Sequence, residues 1–126
     1  MTPAASRRTF LKLSLGGIAG ASLGANLAVL VGAADPSIRS LALLSPGLEY
    51  RGVKCEAAMK KYVPRPALLV AASNDPYALR SVRQLATSGA ENEALTLDAV
   101  GHGTLMLVRD PELGARLVDW FKKTLL

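Results

Sequence analysis

The sequence is poor in the residues that build disulfides, metal centres and nucleic-acid interfaces. Its 126 residues contain one cysteine, Cys55, and one histidine, His102. One cysteine excludes an intrachain disulfide, and one cysteine with one histidine is too small a ligand set for a structural zinc site. Aromatic residues make up 5% of the chain, and no basic stretch carries aromatic residues between its cations. The sequence therefore predicts no metal, no cofactor and no nucleic-acid partner.

Long apolar runs are also missing. Residues 11–34 come closest, but glycine and serine dilute this stretch, and a membrane-spanning helix needs about 20 consecutive apolar residues. Hydrophobic residues nevertheless make up 50% of the chain and charged residues 20%, which is the balance of a folded globular protein. Alanine, leucine and valine dominate the apolar set, a composition that suits helices packed on a parallel sheet.

Acidic residues are absent from the first twelve positions, which carry Arg7, Arg8 and Lys12 of a chain whose net charge is +5. Residues 6–12, SRRTFLK, resemble the twin-arginine export motif. A weakly apolar segment follows, and the small residues at 31–33 suit a signal peptidase. The resemblance implies export through the twin-arginine translocation machinery, whereas a chain that does not use this segment would stay in the cytoplasm.

The same region supports a structural interpretation. Residues 13–21 are apolar with glycine interruptions, which is typical of a buried strand that enters a tight turn, and residues 23–33 form a helix rich in small residues. Between them, residues 20–24 read Gly-Ala-Ser-Leu-Gly, the G-x-S-x-G pattern of the elbow that exposes a serine hydroxyl. The two interpretations exclude each other, because cleavage after Ala33 would remove Ser22.

Apolar runs and helical segments alternate through the rest of the chain. Strands are predicted at 38–45, 67–73 and 93–100, the last at or near an edge, and helices at 54–62, 76–86 and 111–124. Such alternation predicts a three-layer α/β fold, in which about four parallel strands carry helices on both faces. We divide the chain into a basic segment, residues 1–12, and a folded domain, residues 13–126.

Three chemically matched side chains follow predicted strands. Ser22 follows the first strand, Asp75 follows the strand at 67–73, and His102 follows the last strand. Ligands of α/β sheets bind at the carboxyl ends of the strands, where these residues would meet. A serine hydroxyl becomes a nucleophile when an imidazole takes its proton, and a carboxylate holds that imidazole in one tautomer. The order serine, aspartate, histidine is that of the α/β-hydrolase triad.

Four short segments together resemble the C-terminal half of an α/β-hydrolase of the dienelactone-hydrolase or small-esterase type: residues 20–28, 44–47, 73–75 and 101–103. The resemblance implies a serine hydrolase that acts on small carboxylic esters through an acyl-enzyme. Ser22 would be the nucleophile, His102 the base and Asp75 the acid of a catalytic triad. The backbone N–H of Leu23 would donate to the oxyanion hole.

A full α/β-hydrolase has several strands before the elbow, and we expect this chain to lack them. The strand that leads to Ser22 would then be an open sheet edge, which invites pairing with a second copy. The oxyanion donor that the family takes from the missing half would also be lost. Two alternatives stay open: a non-catalytic half-domain that assembles through its open edge, and an exported or signal-anchored remnant with a vestigial triad.

Each candidate residue also has a plainer explanation. Ser22 is chemically idle if its segment is a signal, and His102 is then an ordinary loop histidine. Asp75 lies in an Asn-Asp-Pro sequence, which is good turn chemistry without any catalytic role. Asp98 is a rival acid, although it is close to the histidine in sequence. Cys55 is interpreted as a passive helix residue.

Overall fold

The most apolar segments of the chain form the centre of one sheet. The computed structural model describes residues 10–13 and 16–126, and in it β3 and β6 are buried at every position. Continuous apolar strands of this kind are buried on both faces, as parallel strands covered by helices must be. The strands are β1 (Phe10–Leu13), β2 (Gly17–Ala21), β3 (Ser40–Leu44), β4 (Glu49–Tyr50), β5 (Val53–Lys54), β6 (Ala67–Ala72) and β7 (Glu93–Leu97).

Helices follow the parallel strands and cover both faces of the sheet. They are α1 (Leu23–Ala34), α2 (Glu56–Tyr62), α3 (Pro76–Ala86), α4 (Leu105–Arg109) and α5 (Leu113–Leu125). Side chains alternate along β3: Leu41 and Leu43 join a core with α1, α2 and α3, whereas Ala42 and Leu44 join a core with α4 and α5. The predicted three-layer arrangement is therefore confirmed.

The sheet has five strands in the order β1-β2-β3-β6-β7. The four strands β2, β3, β6 and β7 run parallel, as predicted, and β7 is a terminal strand in the described residues. β1 pairs antiparallel with β2, in a register that places Phe10 opposite Gly20 and Leu13 opposite Gly17. This hairpin corrects one expectation: the strand that leads to Ser22 has a neighbour on each side and is not an open edge.

The hairpin was missed because its first strand lies in the segment that also resembles an export motif. Residues 1–9, which hold both arginines of that motif, lie outside the described residues, whereas Phe10–Leu13 forms β1. The predicted peptidase site, residues 31–33, lies in the last turn of α1, where Gly32 is buried against Tyr62. None of the helices in the described part of the chain is long and apolar enough to span a membrane.

Two short elements were not predicted. The segment expected to be a plain loop at 46–52 begins the small antiparallel ribbon of β4 and β5. The five-residue helix α4 lies directly after residues 98–104, which contain His102 and are called the histidine loop below. Both are too short to carry a periodic pattern, because one helical turn or two paired residues contain fewer apolar positions than a period requires. Both lie beside the site described next.

Candidate active site

Ser22 lies in a one-residue turn between β2 and α1. Its backbone has φ 57° and ψ −124°, a conformation that non-glycine residues rarely adopt. The chain crosses itself closely here: a Cβ atom on Gly20 would lie 2.4 Å from the carbonyl oxygen of Gly24. The Ser22 N–H donates to the Leu44 carbonyl at 2.8 Å, which anchors the turn to β3. The G-x-S-x-G pattern therefore forms the tight strand-to-helix elbow that the sequence predicts.

The structure brings the three predicted side chains together at the carboxyl ends of β2, β6 and β7. His102 Nε2 lies 2.8 Å from Ser22 Oγ, and His102 Nδ1 lies 2.5 Å from Asp75 Oδ2. A neutral imidazole that donates from Nδ1 to a carboxylate can accept a serine O–H at Nε2. Asp75 is 15% exposed and His102 is 45% exposed, so the acid is enclosed and the imidazole is open to solvent.

Hydrogen bonds between two loops align the imidazole with the aspartate. The Gly101 N–H donates to Asn74 Oδ1 at 3.0 Å, and the Ala99 N–H donates to Ser73 Oγ at 2.9 Å. Gly101 has φ +90°, which glycine adopts without strain. The rival acid, Asp98, accepts a hydrogen bond from Ser73 at 3.4 Å, whereas Asp75 is the carboxylate hydrogen-bonded to His102.

Leu23 is the first residue of α1 and follows Ser22 directly. The first N–H groups of a helix have no intrahelical acceptor and lie at the positive end of the helix dipole. The next part of the turn is closed by the Ala25 N–H, which donates to the Ser22 carbonyl at 3.0 Å. The Leu23 N–H thus lies at the start of the helix, directly after the serine.

Sequence reasoning missed Tyr50, which lies against the imidazole. The two rings meet edge to face, with centroids 6.0 Å apart, and Tyr77 packs on Tyr50 in the same way at 5.7 Å. A Cβ atom on Gly47 would lie 2.7 Å from the Tyr50 ring, so the glycine makes room for the tyrosine. Burial, and then the charge of Asp75, raise the pKa of Tyr50 well above its ordinary value, so the phenol keeps its proton.

Buried polar side chains hold residues 47–55, which include Tyr50, against the rest of the domain. Asn26, fully buried in α1, accepts the Gly47 N–H at 3.0 Å and donates to the Val53 carbonyl at 2.9 Å. The Cys55 thiol donates to the Gly47 carbonyl at 3.2 Å. The predicted passive cysteine is therefore part of a structural contact. The only sequence signal for this arrangement is a polar residue, Asn26, in an otherwise apolar helix.

A surface groove of about 280 Å³ lies elsewhere, between β7 and α5. It is lined near the start of β7 by Glu93, and by Trp120 and Lys123 from α5. Lys123 pairs with Glu93 across it at 2.5 Å. The groove therefore lies toward the amino ends of the strands, whereas the elbow and the histidine loop lie at their carboxyl ends.

The chain has an α/β fold. Its four parallel strands and the surrounding helices match part of a dienelactone-hydrolase-like fold. The solved structure of dienelactone hydrolase from Anabaena variabilis ATCC 29413 is similar over 87% of this chain, with a TM-score of 0.67 and 19% sequence identity. The chain covers 50% of that structure and so spans half its length. No protein-family model and no curated protein matches the chain.

Proposed function

We propose that this chain is a serine hydrolase that acts on small carboxylic esters. One observation carries the proposal: a continuous line of hydrogen bonds runs from Ser22 Oγ through the imidazole of His102 to Asp75. A nucleophile, a base and an orienting acid in this arrangement are the parts needed for acyl transfer. The fold similarity to a dienelactone hydrolase supports the same reaction class.

The geometry suits a two-step reaction. His102 Nε2 takes the proton from Ser22 Oγ as that oxygen attacks the ester carbonyl carbon. The oxyanion accepts a hydrogen bond from the Leu23 N–H, and the imidazolium then gives its proton to the departing alcohol. An acyl-enzyme results, which water hydrolyses with His102 again as base. Asp75 keeps the proton on Nδ1 and stabilises the imidazolium throughout.

The oxyanion hole has one assigned donor in this proposal. The second donor of α/β-hydrolases comes from a loop before the elbow. Each such donor contributes about 100- to 1000-fold to the rate. Acylation and deacylation both form an oxyanion, so a site with one donor would carry out each step about 100- to 1000-fold more slowly than a site with two.

An activity-based probe tests the proposal directly. A fluorophosphonate reacts with an activated serine and should label the wild-type chain at Ser22, as located by peptide mass. Ser22→Ala should not be labelled, and His102→Gln should be labelled at least about 100-fold more slowly, since general-base catalysis contributes about 100- to 10,000-fold. Ser37→Ala, at an exposed serine in the turn after α1, is the matched control.

The proposal fails if a soluble, folded wild-type chain is not labelled, or if Ser22→Ala is labelled at the same rate. Circular dichroism of each variant shows whether it is folded, so loss of labelling can be separated from unfolding.

Export through the twin-arginine machinery stays a prediction. Its support is the match of residues 6–12 to the motif. The N-terminal residue of the chain recovered from cells decides it, because a mature chain that starts after Ala33 lacks the elbow and cannot carry the proposed reaction.

A further inference from the structure

We infer that Ser45, the residue directly after β3, is a positioning residue for His102; this inference rests on the proposed function. Ser45 is completely buried and has φ 52°, in the left-handed region that favours glycine. This conformation is unfavourable for a residue that carries a Cβ atom. Its side chain makes hydrogen bonds that glycine could not make.

The Ser45 hydroxyl holds the backbone of the histidine loop. It accepts the Gly103 N–H at 2.8 Å, and its own O–H points to Met106 Sδ at 3.9 Å. Gly103 follows His102 directly and has φ +63°. A Cβ atom on Gly103 would lie 3.9 Å from Ser22 Cβ, so this part of the loop packs against the elbow itself.

The Ser45 carbonyl also holds the tyrosine ring that contacts the imidazole. It accepts the Tyr50 O–H at 3.1 Å, and the Tyr50 ring is the one that meets His102 edge to face. The Ser45 N–H donates to the Val70 carbonyl at 2.7 Å, which ties the residue to β6 in the middle of the sheet. One residue thus links the rigid sheet to both the loop and the ring that border His102.

Loss of the hydroxyl would free the loop without touching the three reacting side chains. The Gly103 N–H would be buried without an acceptor, and the glycines on each side of His102 would let the loop move to find one. A displacement of about 1 Å between a base and its nucleophile can cost about 100-fold in rate. The Nε2–Oγ distance is 2.8 Å, so an increase of about 1 Å would break this hydrogen bond.

The test compares Ser45→Gly with Ser40→Ala. Ser45→Gly removes the hydroxyl and suits the positive φ, so the backbone is not strained. Ser40 is a matched control: it is equally buried, lies at the opposite end of β3 and shares its hydroxyl with Thr124 at 2.7 Å. We expect Ser45→Gly to react with the fluorophosphonate about 10- to 100-fold more slowly than wild type, and Ser40→Ala to react at the wild-type rate.

A second readout does not depend on activity. His102 is the only histidine, so its Nδ1–H proton gives one assignable NMR signal in protein made without a histidine tag. The signal should shift or broaden in Ser45→Gly and stay in place in Ser40→Ala. A wild-type chain that is not labelled refutes the proposed function alone, because the NMR signal still reports the positioning of His102.

Three results would overturn the inference. The first is a Ser45→Gly variant that is labelled at the wild-type rate and whose Nδ1–H signal is unchanged. The second is a labelling rate that falls as much in Ser40→Ala as in Ser45→Gly. The third needs no variant, which matters if Ser45→Gly fails to fold. In the wild type the Gly103 amide should exchange slowly with solvent, and exchange at the rate of an exposed amide would contradict its hydrogen bond to Ser45.

Discussion

At the scale of single residues, unusual backbone conformations gather around the elbow. Ser22, Ser45 and Ala99 are non-glycine residues with positive φ, and Gly101 and Gly103 share that sign of φ. Such conformations persist only where the surrounding structure enforces them, and they are common at active sites. Here hydrogen bonds at the strand ends and in the loops hold these conformations in place.

The buried thiol of Cys55 makes stability depend on pH. Burial, and secondarily Glu56, raise its pKa from the ordinary 9.0 to about 11. From pH 9 to pH 11 the unfolded chain therefore binds fewer protons than the folded one, so the free energy of unfolding should fall as the pH rises through this window. Urea denaturation at a series of pH values measures the fall.

Cys55→Ala separates this effect from that of the tyrosines. Burial also raises the pKa of Tyr50 and Tyr62 far above the ordinary 10.0, so their contribution begins near pH 10 and is common to both proteins. Between pH 9 and pH 10 the variant should show the flatter curve. Equal slopes in that interval would count against the assignment to Cys55.

At the scale of elements, the elbow depends on how closely α1 crosses β2. Gly20 lies in β2 and faces the backbone of Gly24 in the first turn of α1. No side chain fits between them, so the small residues of the G-x-S-x-G pattern are a packing requirement as well as a motif. A helix that started farther from the strand would carry Ser22 and the Leu23 N–H away from His102.

Gly20→Ala should therefore destabilise the fold by about 3 kcal/mol, because the new methyl group would overlap backbone atoms that have no room to move. Gly114→Ala is the matched control, since a Cβ atom there meets nothing within 4 Å. It should stabilise α5 by about 0.5–1 kcal/mol through helix propensity. Thermal or urea unfolding measures both, and equal effects of the two substitutions would argue against the close crossing.

Element prediction succeeded where the pattern was long. The bounds of the buried strands β3 and β6 and of the helices α3 and α5 were predicted to within two residues, because each element carries an unbroken apolar run or a one-sided apolar face. The ribbon of β4 and β5 depends on hydrogen bonds with Asn26 and Tyr77, and Met106 of α4 contacts Ser45; these partners lie far away in sequence. Local patterns do not contain that information.

At the scale of the whole molecule, the hairpin of β1 and β2 decides which strand is the edge. β1 supplies the backbone partners that β2 would otherwise leave unpaired. An unpaired apolar strand edge is a template for pairing with another chain. We propose that self-association through this edge is held back by β1, and that it replaces intramolecular pairing when β1 is removed.

Two truncations test the role of β1. A chain that begins at Gly16 lacks β1, and we expect it to associate as its concentration rises because β2 is exposed. A chain that begins at Phe10 keeps β1 and is the control. Light scattering after size-exclusion chromatography measures the mass of each, and a chain from Gly16 with the same concentration-independent mass as the control would refute the proposal.

The sequence alone determined the α/β class, the order of the parallel strands along the chain and the three polar residues at their ends. These follow from local information: apolar runs, glycine at a turn, and a serine, an aspartate and a histidine that each follow a strand. Only the tertiary structure decided that Asp75 rather than Asp98 meets His102, that Ser45 and Tyr50 border the imidazole, and that β1 covers β2. Each of these depends on pairing across the sheet, which brings together residues that are far apart in the chain.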